Sequence, residues 1–186
     1  DRHTRTIVNN ESREIVRMLN TAFDTLASQP GFYVPELHEA IEAAIDRMYE
    51  SINNGVYRTG FATTQAAYND CVDALFAALD EHETLLSTQR YLCGETLTEA
   101  DWFLFTTLVR FDPVYHGHFK CNLKRIEDYP NLFAFIRELY QIPGVAETCA
   151  FEAIKLHYYG SHPTINPNAI VARGTWSDLL APHHRG

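Results

Sequence analysis

The chain has 186 residues, of which 46% are hydrophobic and 21% are charged, a composition typical of a globular protein with its own core. Its formal net charge is −9 and its 15 basic residues are scattered, which argues against nucleic acid and acidic membrane surfaces as partners. No apolar run approaches the ~20 residues of a membrane span and no signal peptide is recognised, so we expect no membrane partner.

The cysteine pattern indicates a reducing compartment. Four cysteines are spaced 22, 28 and 28 residues apart without a Cys-x-x-Cys pair: Cys71, Cys93, Cys121 and Cys149. This spacing suits neither a zinc cage nor a disulfide-rich secreted scaffold, and we therefore expect a cytoplasmic protein. The segment His116-x-His118-x-x-Cys121 could bind a soft divalent metal, but no fourth ligand is evident at a suitable spacing. We interpret it as a loop with exposed histidines and predict no metal.

The N-terminal residues predict a strand and a helix. The run Thr6-Ile7-Val8 is β-like, yet the rest of the sequence indicates helices, so this strand has no partner in the chain. We expect the missing sheet to lie upstream. A helix follows from Glu11 to about Asn20, with three apolar residues on one face: Ile15, Met18 and Leu19.

Two amphipathic helices come next. Residues 36–54 carry an apolar stripe at helical spacing, with Pro35 as a start signal and Gly55 as a stop signal. The stripe consists of Leu37, Ile41, Ile45, Met48 and Ile52. A second helix is predicted over about 63–86.

The most apolar helix is predicted to begin at Thr98. Its hydroxyl and the Asp101 carboxylate can each bond the other residue's backbone N–H, which is a capping box with Asp in the usual Glu position. Residues 102–109 are apolar on nearly every face, as expected for a helix at the centre of a domain. Asp112-Pro113 should end this helix.

Two further helices complete the predicted order. One starts at Tyr129-Pro130, where proline is tolerated at the first helical position. The other runs from about Val145 to Tyr159 and is stopped by Gly160. Residues 161–186 contain several prolines and glycines and predict an irregular tail over the surface.

The order of these elements resembles the second half of a glutathione transferase. The strand followed by Glu11-Ser12 and the box Thr98-Glu99-Ala100-Asp101 are shared with that superfamily. Longer strings are similar to those of the glutathionyl-hydroquinone reductases, the Xi class of glutathione transferases. These strings occupy residues 6–12, 53–57, 60–65, 108–115, 118–121, 157–159 and 164–167.

The resemblance implies an all-α fold of the glutathione transferase C-terminal type, with five to seven helices. Residues 1–20 would be the last strand and helix of a thioredoxin-like domain. Residues 21–160 would form the helical domain, and residues 161–186 a C-terminal tail packed on it. The family also dimerises through its helical domain, so we expect a homodimer.

By the same resemblance, the intact protein would use glutathione as co-substrate and reduce glutathionyl-hydroquinones to hydroquinones. The family's nucleophile is a cysteine followed by proline in the thioredoxin-like domain. None of the four cysteines in this chain precedes a proline, so we expect an upstream nucleophile and an inactive isolated fragment.

The resemblance assigns glutathione binding to Glu11 and Ser12. A helix N-terminus carries free N–H groups and a partial positive charge that suit a carboxylate, while Glu11 offers a counter-charge to an ammonium group. From the residues alone, we would interpret either side chain as a helix cap, and it is the resemblance that favours glutathione binding.

Three tyrosines are the catalytic candidates that the resemblance implies. Tyr57 would exchange a proton with the aromatic substrate, and Tyr115 and Tyr158 would direct their hydroxyls toward the thiolate. A phenol that donates a hydrogen bond to a thiolate lowers the pKa of that thiol. Without the family, each tyrosine would be interpreted as a half-buried core residue.

Two other functions remain open at this stage. A serine or tyrosine in place of the upstream cysteine would indicate a conjugating glutathione transferase. A protein without any thioredoxin-like half would indicate a helical module used only for binding or dimerisation.

Overall fold

The structure is a computed structural model that describes residues 1–23, 25–27, 31–174 and 177–186. Eight α-helices are present among these residues. They are α1 Ser12–Ala22, α2 His38–Met48, α3 Gly55–Gly60, α4 Gln65–Leu86, α5 Glu99–Arg110, α6 His116–His118, α7 Pro130–Tyr140 and α8 Phe151–Ser161. The predicted all-α class is therefore confirmed. No helix in the described part of the chain is both long and apolar enough to cross a bilayer.

The predicted strand at Thr6–Val8 does not form. Within the described ranges, the only β-type pairing is an isolated bridge between Tyr91 and Gly94, and residues 7–10 have no regular structure. A strand requires hydrogen bonds to a neighbouring strand, and none of the residues that the structure describes pairs with this segment. Ile7 and Val8 are largely exposed as a result.

The predicted stops at Gly55 and Gly160 are wrong. After α2 the chain continues through a π-helical turn, Tyr49–Asn53, directly into α3, so Gly55 begins a helix instead of ending one. Gly160 likewise lies inside α8. A glycine ends a helix by adopting a left-handed conformation, and neither Gly55 nor Gly160 has a positive φ angle.

Asp112-Pro113 does not end the helical path either. A second π-helical turn, Phe111–Tyr115, follows α5 and leads into α6. Pro113 lies in this π-helical turn. The regular α-helical hydrogen bonds are already interrupted there, so the missing N–H of the proline is tolerated. The Asp112 carboxylate accepts hydrogen bonds from the N–H groups of Ile126 (2.7 Å) and Glu127 (3.1 Å).

The predicted capping box at the start of α5 is confirmed. The buried Asp101 carboxylate accepts hydrogen bonds from the N–H groups of Thr98 and Leu92, both at 2.8 Å. It therefore ties the preceding loop to the first turn of the helix. α5 is the central helix, because it packs against both α2 and α7.

The core lies between α2, the α3–α4 hairpin, α5 and α7. Four of the five apolar residues in the predicted stripe of α2 and its π turn are fully buried: Ile41, Ile45, Met48 and Ile52. Residues 162–174 and 177–186 contain no helix or strand. The last ten residues lie against α7, where Gln141 donates hydrogen bonds to the carbonyl groups of Leu179 and Ala181 at 2.8 Å.

Helix α1 buries none of its side chains in this structure. Two arginines attach it to the helical domain. Arg13 pairs with Glu42 and Asp46, and Arg17 pairs with Glu42 and Glu99. The apolar face of α1 stays largely uncovered, with Leu19 59% exposed.

Candidate active site

The three candidate tyrosines come together although they belong to different parts of the chain. Tyr57 lies on α3, Tyr115 ends the second π turn and Tyr158 lies on α8. The Tyr158 hydroxyl is 2.6 Å from the Tyr57 hydroxyl and 2.9 Å from the Tyr115 hydroxyl. The three phenols therefore form a continuous hydrogen-bonded chain with Tyr158 in the middle.

Phe119 is the centre of the aromatic cluster around these phenols. Its ring centroid lies 5.3 Å from that of Tyr57, 5.4 Å from that of Tyr115 and 6.0 Å from that of Tyr158. Phe119 is fully buried, and its ring is stacked on that of Tyr115. It thereby restricts the positions that all three tyrosine rings can adopt.

Both π turns are adjacent to a tyrosine of the cluster. The first, Tyr49–Asn53, precedes α3 and its Tyr57, and the second contains Tyr115. A π turn inserts an extra residue and rotates the helix that follows, which changes the direction of its side chains. The Asn53 side chain holds the first turn in place by donating to the Phe103 carbonyl (2.7 Å) and to Thr107 Oγ1 (2.9 Å).

The environment keeps the hydroxyl groups of Tyr115 and Tyr158 protonated. Burial raises the pKa of Tyr158 to about 12, and it raises the pKa of Tyr115 further, with a contribution from the hydrogen bond to Tyr158. Both hydroxyls are therefore neutral hydrogen-bond donors at physiological pH.

Proton counting indicates which hydroxyl is left to act on an outside group. Two hydrogen bonds join three hydroxyls that carry one proton each, so one O–H stays free, either at an end of the chain or on Tyr158. Tyr115 is only 2% exposed, and a free hydroxyl there would lose its partner in a buried place. The hydrogen bond with Tyr115 lowers the pKa of Tyr158 and the one with Tyr57 raises it, which fits an order in which Tyr158 accepts from Tyr115 and donates to Tyr57. This order leaves the half-buried Tyr57 with a free proton.

Glu11 and Ser12 lie elsewhere in the described structure. Glu11 precedes α1 with extended backbone angles, and its exposed side chain does not cap the helix. Ser12 lines a groove of about 570 Å³ that is mostly apolar. No hydrogen bond or ring contact between described residues joins either residue to the tyrosines.

This groove lies between α1, the first π turn and α5. Its walls come from α1, the first π turn and the N-terminal half of α5. The lining residues are Ser12, Val16, Leu19, Asn20, Phe32, Tyr49, Asn53, Glu99, Trp102, Phe103 and Thr106. Below we call it the α1–α5 groove.

The four cysteines are free thiols, and Cys121 is buried. Burial raises the pKa of the Cys121 thiol to about 12, so it is a poor nucleophile. His118 contacts His162 rather than Cys121 or His116. Over the described ranges, no group of three or more His, Cys, Asp or Glu side chains is arranged to hold a metal.

Sequence reasoning did not identify Phe119, Asn53 or the π turns as parts of this site. Phe119 and Asn53 both occur in strings that resemble the family, but no residue pattern indicates which side chain fills the space between three tyrosines. The proximity of Phe119 to Tyr57 depends on chain segments 62 residues apart, which only the folded structure brings into contact.

The fold and the aligned sequence define the class of protein. Residues 65–138 match the family "Glutathione S-transferase, C-terminal domain". The chain therefore carries the helical domain of a glutathione transferase.

Longer matches identify the class within this superfamily. The chain is 52% identical over 186 residues to glutathionyl-hydroquinone reductase YqjG of Escherichia coli, covering 100% of this chain and 57% of that protein. It is 52% identical over 175 residues to glutathionyl-hydroquinone reductase PcpF of Sphingobium chlorophenolicum, covering 94% of this chain and 56% of that protein. The chain thus spans somewhat more than half the length of these curated relatives.

Solved structures agree with the sequence matches. The glutathione-bound structure of YqjG superimposes with a TM-score of 0.95, at 52% identity, over 100% of this chain and 61% of that one. A Xi-class glutathione transferase from Natrialba magadii superimposes with a TM-score of 0.96, at 51% identity, over 100% of this chain and 57% of that one. Over its whole length the chain therefore matches glutathionyl-hydroquinone reductases and Xi-class glutathione transferases in both sequence and fold.

Proposed function

We propose that the protein containing this chain reduces glutathionyl-hydroquinones to hydroquinones, with glutathione as co-substrate. The observation that carries the proposal is the hydrogen-bonded chain from Tyr115 through Tyr158 to Tyr57. Two curated relatives that are 52% identical bear the name glutathionyl-hydroquinone reductase, which supports the assignment.

The proposed reaction begins with a cysteine thiolate from an upstream unit. The thiolate attacks the sulfur of the substrate, forming a mixed disulfide with glutathione and breaking the bond between sulfur and ring carbon. The electron pair of the broken bond passes to the ring, and the free proton of Tyr57 is added to the ring carbon. A second glutathione thiolate then attacks the mixed disulfide, which releases glutathione disulfide and the enzyme thiolate.

Within this scheme the other two phenols support Tyr57. As the proton leaves Tyr57, the hydrogen bond from Tyr158 stabilises the charge that develops on the Tyr57 oxygen. Tyr115 donates to Tyr158 in turn, and its burial keeps this donor in a water-poor environment. Tyr115 is 2% exposed and Tyr158 donates its one hydroxyl proton to Tyr57, so a hydrogen bond from Tyr158 to the thiolate would require the contact with Tyr57 to break.

We further propose that residues 1–20 are the end of a thioredoxin-like unit that packs into the α1–α5 groove. The groove is mainly apolar, α1 buries no side chain here, and the relatives are nearly twice as long as this chain. An apolar surface of this kind is normally covered in the native protein. Residues 21–160 would then be the helical domain and residues 161–186 its tail.

Glutathione is assigned to the N-terminus of α1 in this proposal. Glu11 and Ser12 are both exposed in this chain, so both are accessible to a ligand. The YqjG structure that superimposes on this chain contains bound glutathione, which supports the assignment. We also propose a cytoplasmic homodimer, with the four free thiols supporting the reducing compartment.

Replacing Tyr57 with phenylalanine in the full-length protein tests the proposed role. Loss of a general acid should lower kcat by about 10²-fold. The KM for glutathione should change by less than about twofold, because Tyr57 does not contact Glu11 or Ser12. Steady-state kinetics with a glutathionyl-hydroquinone, followed by release of glutathione disulfide, measures both constants.

Tyr68→Phe is a matched control. Tyr68 is also half-buried and also donates a hydrogen bond, to the Lys120 carbonyl at 2.8 Å, but it lies outside the tyrosine chain. Its kcat should stay close to that of the wild-type protein. An unchanged kcat for Tyr57→Phe would remove Tyr57 from the mechanism.

The same assay separates the alternatives. A conjugating glutathione transferase would join glutathione to an aryl halide and would not release hydroquinone. A binding or dimerisation module would turn over neither substrate. Release of hydroquinone with stoichiometric glutathione disulfide is expected from the proposed reductase alone.

A further inference from the structure

A second polar contact joins the helices that carry Tyr115 and Tyr158. Nε2 of His118 is 3.0 Å from Nδ1 of His162, within hydrogen-bond distance. His118 follows Tyr115 by three residues, and His162 follows Tyr158 by four. The contact between His118 and His162 therefore joins the same two chain segments as the contact between Tyr115 and Tyr158, about one helical turn further along.

The histidine pair lies inside the aromatic cluster. His118 is 6% exposed, with its ring centroid 5.2 Å from that of Phe119 and 4.5 Å from that of Tyr159. The His162 ring meets the edge of the Tyr158 ring at 5.8 Å and that of Phe61 at 5.1 Å. A displacement of either imidazole would therefore be transmitted to the rings around Tyr158.

Helix α8 packs on the core mainly through partly buried side chains, among them Phe151, Ile154 and Tyr158. Apolar contacts have no preferred direction, so a hydrogen bond adds a constraint on the position of the helix that they do not supply. His162 directly follows α8 and comes four residues after Tyr158. A hydrogen bond to His162 therefore limits both sliding and rotation of the helix end that carries Tyr158.

Both imidazoles are neutral near pH 7, so one ring can donate to the other. Burial lowers the pKa of His118 to about 4, with smaller effects from the facing His162 and Lys120. Burial also lowers the pKa of His162, and His157 on α8 contributes. Two protonated rings at this distance would repel each other, whereas two neutral rings form a normal hydrogen bond.

We propose that His118 and His162 are positioning residues, whose hydrogen bond sets the register of α8 so that Tyr158 reaches both Tyr57 and Tyr115. The structural part of this inference concerns the geometry of the phenols alone. Its kinetic consequence rests on the proposed function.

The variants His162→Leu and His162→Asn form a matched pair for the test. Leucine and asparagine have nearly the same shape, but only asparagine carries a polar atom where Nδ1 of His162 now lies. Crystal structures of both full-length variants should differ at Tyr158. In the leucine variant we expect at least one of the two phenol contacts to exceed about 3.5 Å, whereas the asparagine variant should keep both.

The kinetic readout should follow the same pattern. We expect kcat of His162→Leu to fall about tenfold, since a small misplacement of a catalytic group is costly, with KM for glutathione within about twofold. His162→Asn should recover to within about threefold of the wild-type kcat. The control is Glu152→Leu, at an exposed position in the first turn of α8, and its kcat should not change.

Each outcome decides the proposal. Two intact phenol contacts in the leucine variant would overturn it, as would equal kcat values for the leucine and asparagine variants. If the leucine variant does not fold, His162→Ala replaces it in the same comparison. A wild-type protein without reductase activity would refute the proposed function, while the crystal structures would still decide whether the histidine pair positions Tyr158.

Discussion

At the C-terminal end of α3, Gly60 lies directly against the Phe119 ring. A Cβ atom added at Gly60 would come within 2.4 Å of two ring atoms of Phe119. Phe119 is fully buried among the three tyrosines, so its ring has no free space to move into. The absence of a side chain at residue 60 is thus a condition for the aromatic cluster.

The residue-scale prediction is that Gly60→Ala destabilises the full-length protein. Overpacking of a filled core costs about 1–3 kcal/mol, and the displaced Phe119 ring should also lower kcat. Denaturant unfolding measures the first effect. Gly160→Ala is the control, because a Cβ there meets nothing within 4 Å and alanine favours the helix, so its stability should be unchanged or slightly higher.

The hydrogen bonds of the tyrosine chain show why site residues are hard to predict from sequence at this scale. Tyr57 and Tyr158 are 101 residues apart, and ten tyrosines occur in the chain. The resemblance to a family identified three of the ten, and the structure brings those three together. Phe119 and the histidine pair carry no local signal, because their positions depend on packing between helices.

At the scale of the element, Asp101 connects α5 to the loop before it. Its fully buried carboxylate accepts from the N–H groups of Leu92 and Thr98 and from the Thr98 hydroxyl. Removal of the carboxylate would leave these buried donors without a partner, in addition to losing a helix cap.

We therefore expect Asp101→Ala to destabilise the protein by about 2–5 kcal/mol. The comparison variant is Asp73→Ala on the exposed side of α4, which should change the free energy of unfolding by less than about 0.5 kcal/mol. Equal changes in the free energy of unfolding for Asp101→Ala and Asp73→Ala would contradict a stabilising role of the buried cap. Thermal and denaturant unfolding of both variants provide the measurement.

Helix boundaries show a clear limit of prediction at this scale. The capping box and the apolar stripe of α2 were readable because each depends on residues within one or two turns. The π-helical turns at residues 49–53 and 111–115 could not be predicted from the sequence. They form because tertiary packing of the helices favours a local change from α-helical to π-helical hydrogen bonding. Glycine and proline therefore indicated ends at Gly55 and Pro113 where the helical path continues.

At the scale of the whole molecule, one buried carboxylate is among the groups that attach the C-terminal tail. Glu138 on α7 is 7% exposed and accepts from Arg185 (2.6 Å), Arg90 (2.6 Å) and the Tyr91 hydroxyl (2.7 Å). Burial alone would raise the pKa of Glu138. The hydrogen bonds from Tyr91, Arg185 and Arg90 outweigh burial and hold this pKa below its ordinary value of 4.5.

This lowered pKa predicts a specific pH dependence. The charged carboxylate stabilises the folded chain above pH 4.5, and that contribution is lost as the pH falls through the lower folded-state pKa. Glu138→Gln lacks the charge, so it should be less stable than the wild type by about 3 kcal/mol at pH 7. The difference should shrink as the pH falls below 4.5.

The test is to measure the free energy of unfolding by urea denaturation at pH values from 3 to 7, in steps of about 1 pH unit. Glu81→Gln, an exposed position on α4, should run parallel to the wild type over the whole range. A constant difference between wild type and Glu138→Gln would contradict the assignment of the acid-sensitive contribution to this carboxylate.

The sequence by itself determined the all-α class, the helix order, the capped central helix and the resemblance to the Xi class, because these depend on local periodicity, capping and contiguous strings. Only the tertiary structure decided that the phenols of Tyr57, Tyr115 and Tyr158 touch, that Phe119 lies between them and that His118 meets His162. The physical reason is sequence separation. The side chains in these hydrogen bonds are 43 to 101 residues apart in the sequence. Their contact depends on how the helices pack and on where π-helical turns form, and no local pattern encodes that geometry.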